Sequence, residues 1–168
     1  MQDDPSAVAS FIPDLEPASV AETATAASRG ALVILVVDDD HVVGRMMADG
    51  LAAMGYAVVL AHSADEAKVQ LQTRHDIGVV VSDIRMPGRD GLALALDVTA
   101  KLEDARAAST VLVTGHATIK EVDAAIRLGI VEFLRKPCRL RELVDAVERG
   151  LETARKHRGI ARRNIGLG

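Results

Sequence analysis

Between Ala31 and Thr153, five short apolar runs alternate with longer segments whose apolar residues recur at helical spacing. That alternation is the signature of βα units around a mostly parallel sheet. The first run is Leu32 to Val37, and in the segment after it Val43, Met46, Met47, Leu51 and Met54 recur at helical spacing before Gly55 supplies a stop. The second run is Ala57 to Ala61. Ser63, placed before Ala64, Asp65 and Glu66, reads as a capping box opening the next helix. The third run, Gly78 to Ser82, is apolar on both faces, as a central strand covered by helices requires. A loop with Pro87, Gly88 and Gly91 leads into a helix over Leu92 to Leu102. The fourth run, Thr110 to Val113, precedes a helix from Thr118 to Leu128 that ends at Gly129. The fifth, Val131 to Leu134, precedes Pro137 and a helix with Leu140, Leu143, Val144, Val147 and Leu151 on one face. The expected fold is α/β, a (βα)5 unit.

The flanks read differently. Residues 1–30 are rich in Ala, Ser, Pro, Asp and Glu and are expected to be a flexible extension, with a short amphipathic piece over Val20 to Ala27. After Thr153 the chain turns basic, with Arg155, Lys156, Arg158, Arg162 and Arg163, so residues 154–168 read as a basic tail. A solvated helix end, favoured by the helix dipole, is the plain reading of that tail; a linker or docking element is the other. A length of 168 residues suits one domain, here residues 31–153, and 49% hydrophobic with 26% charged residues suits a soluble globular one. The net charge of -4 gives no general attraction to nucleic acid or anionic lipid. The longest apolar run, Ala31 to Val37, is too short to span a bilayer, no secretory signal is visible, and a cytoplasmic location is expected. Cys138 is the single cysteine, which rules out an intrachain disulfide.

In an open parallel sheet, ligands sit beyond the carboxyl ends of the strands. The first strand ends in Asp38, Asp39 and Asp40, the third in Asp83, the fourth in Thr114 and the fifth in Lys136. Two unit charges about 4 Å apart repel by roughly 4 kcal/mol at an effective dielectric near 20, so three clustered carboxylates call for a cation. A hard divalent ion such as Mg²⁺ suits oxygen ligands and leaves room for water and a phosphoryl oxygen. Lys136 adds a mobile positive charge and Thr114 a hydroxyl donor, and the set suits a phosphoryl group attached to one of the carboxylates.

Four stretches then carry a family resemblance: Ile34-Leu35-Val36-Val37-Asp38-Asp39-Asp40, Ser82 to Gly91 with Met86-Pro87-Gly88 inside it, Val113-Thr114-Gly115, and Lys136-Pro137. Asp39 to Asp83 is 44 positions, Asp83 to Thr114 is 31, and Thr114 to Lys136 is 22. In order and spacing these resemble the receiver domain of two-component response regulators. The resemblance implies a flavodoxin-like, doubly wound parallel sheet in the order 2-1-3-4-5. It implies Asp83 as phosphoacceptor, taking the phosphoryl from a sensor histidine kinase or a histidine phosphotransfer protein. It implies Mg²⁺ held by Asp38, Asp39, Asp83 and the backbone carbonyl of Arg85, with Thr114 and Lys136 on the phosphoryl oxygens. Phe133 falls at the family's aromatic switch position, and the face of the fourth helix, fifth strand and fifth helix is the expected output and homodimer surface.

Three departures stand out. Phe133 is not tyrosine, so a switch using a phenolic hydroxyl is unavailable. Cys138 follows Pro137 where many members carry an aromatic or apolar residue. Arg85 and His116 occupy positions that in this family tune loss of the acyl phosphate, and two bulky, potentially cationic groups there are expected to slow it. Of the remaining acids, Asp40 reads as a helix-start residue and Asp90-Gly91 as a turn. His41, His62, His75 and His157 lack metal-ligand spacing and read as surface or helix-end residues. Other functions weighed are the receiver part of a longer transcription factor or signalling enzyme and an aspartate-nucleophile phosphohydrolase. The latter needs a second acid two residues after the first, where Arg85 stands. A pyrophosphate cradle would need glycines where the three aspartates are.

Overall fold

Three of the five apolar runs become strands buried at every residue: β1 (Val33–Val37), β3 (Ile77–Ser82) and β4 (Ser109–Thr114). The half-buried β2 (Val58–Ala61) and β5 (Glu132–Arg135) form the edges. The computed structural model describes residues 31–88, 91–100, 107–130 and 132–165. All neighbouring strands pair in parallel, in the order β2-β1-β3-β4-β5. Between and after them run α1 (His41–Ala53), α2 (Ala64–Thr73), α3 (Gly91–Thr99), α4 (Ile119–Arg127) and α5 (Leu140–Ile165). Among the described residues no helix is long and apolar enough to cross a membrane.

Alternation along the strands supplies both faces of the sheet. Ile34, Val36, Val79, Val81, Val111 and Val113 pack against Met47 and Leu51 of α1 and Leu143, Val147 and Leu151 of α5. Leu35, Val37 and Val80 pack against Ala64 and Ala67 of α2 and Leu94 and Val98 of α3. Each such Val, Leu, Ile or Met side chain contributes about 1.5–3 kcal/mol by leaving water. α4 is held far less firmly: only its Ala125 is buried, beside Ile84 and Leu112.

The helix ends follow local chemistry. Asp40 caps α1, its carboxylate accepting from the amides of Val42 and Val43 at 2.9 and 3.1 Å. Ser63 caps α2 by accepting from the Glu66 amide, but Glu66 answers to the amide of His62 at 2.8 Å, so the expected box is displaced by one residue. A complete capping box stands at Thr118 and Glu121 on α4. Gly55 and Gly129, with φ of 91° and 67°, end α1 and α4 in the left-handed conformation that glycine adopts without strain.

Several boundaries differ from expectation. α3 starts at Gly91, which is a helical residue and not a turn residue, and it ends at Thr99. Leu102 lies outside the described residues, as do residues 1–30, Asp90 and Val131. At the C-terminus α5 runs on through residues 154–165. Gly150, Leu151 and Ala154 keep that helix against the sheet, since a Cβ on Gly150 would come within 3.0 Å of Val79. One turn further, Arg158 reaches the N-terminal edge of the sheet. Its Nε donates to the Ala107 carbonyl at 2.8 Å, one terminal nitrogen to that of His75 at 2.9 Å, and the other to that of Ile77. This basic residue is therefore part of the fold.

Two outcomes are expected. Arg158→Ala should lower stability by about 1.5–3 kcal/mol, the range for hydrogen bonds from a charged donor, and urea unfolding reads it directly. Tyr56, the only tyrosine, donates to Glu148 of α5 at 2.8 Å. Burial, and then the Glu148 carboxylate, push its phenol up to about 12. The folded chain thus keeps this proton to higher pH than the unfolded chain. The stability that Tyr56 contributes is fully present below about pH 10 and is lost as pH rises from there through the folded value. Tyrosinate absorbance of the folded protein should titrate near 12, and in Glu148→Gln at a lower pH; coincident curves would show that the ion does not matter.

Candidate functional site

Because the strands are parallel, their polar terminal residues gather on one edge. The ladder runs one residue past the strands, the Asp83 amide donating to Val37 at 3.1 Å and the Lys136 amide to Thr114 at 2.8 Å. Asp38, Asp83, Thr114 and Lys136 are thereby brought together. Lys136 Nζ lies 2.6 Å from Asp38 Oδ2 and 2.9 Å from Asp83 Oδ2. Asp38 is fully buried and its second oxygen accepts from the Asp40 amide at 3.0 Å. The second oxygen of Asp83 accepts from the Arg85 amide at 3.2 Å. Asp39 is exposed at the rim.

Asp38, Asp39 and Asp83 each bring a carboxylate oxygen within 4.8 Å of the others. Burial pushes the Asp38 carboxyl above its ordinary range, with Lys136 opposing but not cancelling it and Asp83 adding to it. Burial alone would depress the Lys136 ammonium, yet Asp38 and then Asp83 hold it above its ordinary value. The two shifts have different origins, burial for Asp38 and the neighbouring carboxylates for Lys136, and by count three carboxylates face one ammonium. An all-oxygen donor set with a charge deficit fits a hard divalent cation such as Mg²⁺.

Thr114 is buried at the end of β4, and its hydroxyl donates to the His116 carbonyl at 3.2 Å. Arg85 Nε donates to the same carbonyl at 3.3 Å, and its guanidinium lies 3.5 Å from Glu121 of α4. The Arg85 side chain therefore rests on the turn before α4, and the His116 side chain is exposed. Phe133 is half-buried against the group formed by Ile84, Leu112 and Ala125. Cys138 turns inward to join the core beside α5, and burial pushes its thiol up to about 11.

Five positions that shape the site escape sequence reasoning. Ser82 is buried and donates to the Asp83 carbonyl at 2.9 Å. A Cβ on Gly44 of α1 would press on the Asp38 Cβ at 3.2 Å. A Cβ on Gly91 would lie 2.0 Å from the Asp83 carbonyl oxygen, so only glycine lets α3 start against the loop carrying that aspartate. The rings of His41 and His62 stack with centroids 3.7 Å apart, and His62 Nδ1 lies 3.4 Å from the Asp38 carbonyl. Once strand order 2-1 is known, those two histidines become neighbours at adjacent strand ends; spacing alone gives no sign of it.

Residues 34–148 match the response regulator receiver domain family. The C4-dicarboxylate transport transcriptional regulatory protein DctD of Rhizobium meliloti (strain 1021) is 37% identical over 122 residues, covering 73% of this chain and 26% of that protein. The transcriptional regulatory protein FixJ of Azorhizobium caulinodans is 31% identical, covering 72% of this chain and 56% of that protein. This chain thus spans about a quarter and about half of those relatives' lengths. A response regulator receiver protein from Pseudomonas putida superposes with a TM-score of 0.65 at 32% identity, covering 70% of this chain and 96% of that one. A CheY-like receiver domain protein from Methanospirillum hungatei JF-1 gives a TM-score of 0.67 at 25% identity, covering 75% and 98%.

Gly91→Ala forces the Asp83 carbonyl or the α3 start to move. It should cost about 1–3 kcal/mol, as overpacking typically does, measured as a lowered urea midpoint. A midpoint equal to the wild type's would refute the backbone contact.

Proposed function

Since the chain belongs to the response regulator receiver family, we propose that Asp83 is its phosphoacceptor, modified by a sensor histidine kinase or a histidine phosphotransfer protein. The observation that carries this reading is Lys136 Nζ seated between Asp38 and Asp83, with the Asp39 carboxylate beside them. In the transfer, an Asp83 carboxylate oxygen forms a bond to phosphorus while the P–N bond of the donor phosphohistidine breaks. The imidazole leaves with the electron pair and then takes a proton from solvent. Asp38, Asp39, Asp83 and the Arg85 backbone carbonyl would hold Mg²⁺, which supplies positive charge opposite the transferring phosphoryl oxygens.

The rest of the chemistry lies with the side chains. Lys136, already 2.9 Å from Asp83, pairs with a phosphoryl oxygen as the carboxylate charge passes outward. Thr114 leaves the His116 carbonyl and donates to another phosphoryl oxygen, and Phe133 follows into the space beside β4. The output surface is the face of α4, β5 and α5, where Ile119 and Ile126 stand 89% and 71% exposed, and a homodimer through that face is part of this reading. Arg85 and His116 retain the role of slowing phosphoryl loss, which requires the guanidinium to swing from its resting place at Glu121. With Arg85 where a hydrolase needs its second acid, the domain acts as a signalling phosphoacceptor in the cytoplasm and not as a phosphohydrolase. The lengths of DctD and FixJ favour a further reading, in which the same switch serves a longer regulator.

Incubation with acetyl phosphate and Mg²⁺ should add one phosphoryl group by intact mass. The addition should vanish in Asp83→Asn and when a chelator is present. An unmodified wild-type mass, or full addition to Asp83→Asn, would refute the assignment.

A further inference from the structure

Arg85 is tied at both ends of a short path from Asp83 to α4. At the near end its amide donates to Asp83 Oδ1 at 3.2 Å. At the far end its Nε donates to the His116 carbonyl at 3.3 Å and a terminal nitrogen lies 3.5 Å from Glu121 Oε1. Glu121 is itself part of the α4 cap: its other oxygen accepts from the Thr118 amide at 2.6 Å and the Thr118 hydroxyl at 2.8 Å. Thr118 Oγ1 accepts in turn from the Glu121 amide at 3.3 Å. α4 buries only Ala125 among its residues, so its first turn takes its position from this cap and its contacts more than from packing.

The His116 carbonyl accepts from two donors, the Thr114 hydroxyl and Arg85 Nε. One reaches it from the end of β4, the other from the loop that carries Asp83. The turn before α4 is thus held from two directions, and only one of them runs through Thr114.

Resting on the reading of Asp83 as phosphoacceptor, we propose that Arg85 is a positioning residue that couples Asp83 to the first turn of α4, in parallel with Thr114 and independently of it. The physical step is a change of acceptor. Before modification the Arg85 amide faces a charged carboxylate. In the acyl phosphate one of those oxygens bridges to phosphorus and the other is a neutral carbonyl, whichever of the two attacked. A hydrogen bond to a neutral oxygen has roughly half the strength of one to a charged oxygen. At the same time three anionic phosphoryl oxygens appear within the reach of a guanidinium two residues away. The near anchor weakens and the side chain is drawn toward the phosphoryl, so His116 and Glu121 lose their partner. An ion pair as open as Arg85 with Glu121, 59% and 22% exposed, adds little to global stability, and its role here is geometric.

Amide hydrogen exchange on the full chain, with and without acetyl phosphate and Mg²⁺, tests this on peptides covering residues 116–123. In the wild type, modification should speed exchange at Thr118–Val122 about fivefold, the effect of losing one hydrogen bond. Thr114→Val should keep that response. Arg85→Ala should exchange fast before modification and gain nothing from it, and Glu121→Gln, which leaves the carboxylate cluster untouched, should behave likewise. Arg85→Lys should restore part of the response, because an ammonium pairs with Glu121 but has no fork for the carbonyl. If Thr114→Val abolishes the response while intact mass shows phosphoryl on Asp83, or if Arg85→Ala responds as the wild type does, the coupling is refuted and the phosphoacceptor reading stands. Absence of phosphoryl on the wild type would overturn both.

Discussion

The contact of Lys136 with Asp38 and Asp83 is the constraint on which the rest of the site depends. A fully buried carboxylate with a second one beside it is costly unless positive charge is near, and the ammonium supplies it across the ends of three strands. That charge arrives from 53 and 98 positions away, so the site exists only when β5 is docked beside β4. The compensation is incomplete by count, since one ammonium faces the carboxylates of Asp38, Asp39 and Asp83. An incompletely neutralised pocket attracts a cation and, through that cation, an anionic group, and the same imbalance makes it responsive when a charge is added.

The scaffold around this pocket is uneven. α1 and α5 press a broad apolar surface onto one face of the sheet, and α5 is further fastened at the sheet's far edge by Arg158. α4 contributes one buried alanine and otherwise depends on its capping box and on Arg85. Elements that move are drawn from the weakly held parts of a structure. The firm half fixes the carboxylates and the lysine, while the loose half lies within reach of Thr114 and Arg85.

Much of this was legible in the sequence, for identifiable reasons. A strand buried on both faces must be an apolar run, so β1, β3 and β4 announce themselves. The edge strand β5, half-exposed and ending in Arg135, is harder to delimit. The convergence of Asp38, Asp83, Thr114 and Lys136 follows from parallel strands sharing one edge, but the full strand order needed the family resemblance. Arg158 was unreadable, because a basic residue after an amphipathic helix looks solvated until the fold brings His75, Ile77 and Ala107 under it. Gly91 and Glu121 were likewise invisible in their roles: one acts by lacking a Cβ next to a backbone atom, the other by linking a helix cap to a residue in a different loop.

Cys138 lies two residues beyond Lys136, packed into the core, with a thiol that holds its proton to about pH 11. A thiol so shielded is a poor nucleophile while the loop from β5 to α5 stays closed. As the chain's single cysteine, it reacts with an alkylating reagent only as often as that loop opens. The domain therefore carries a built-in clock for breathing beside the lysine on which its charge balance rests, and it can be read by labelling without any substitution.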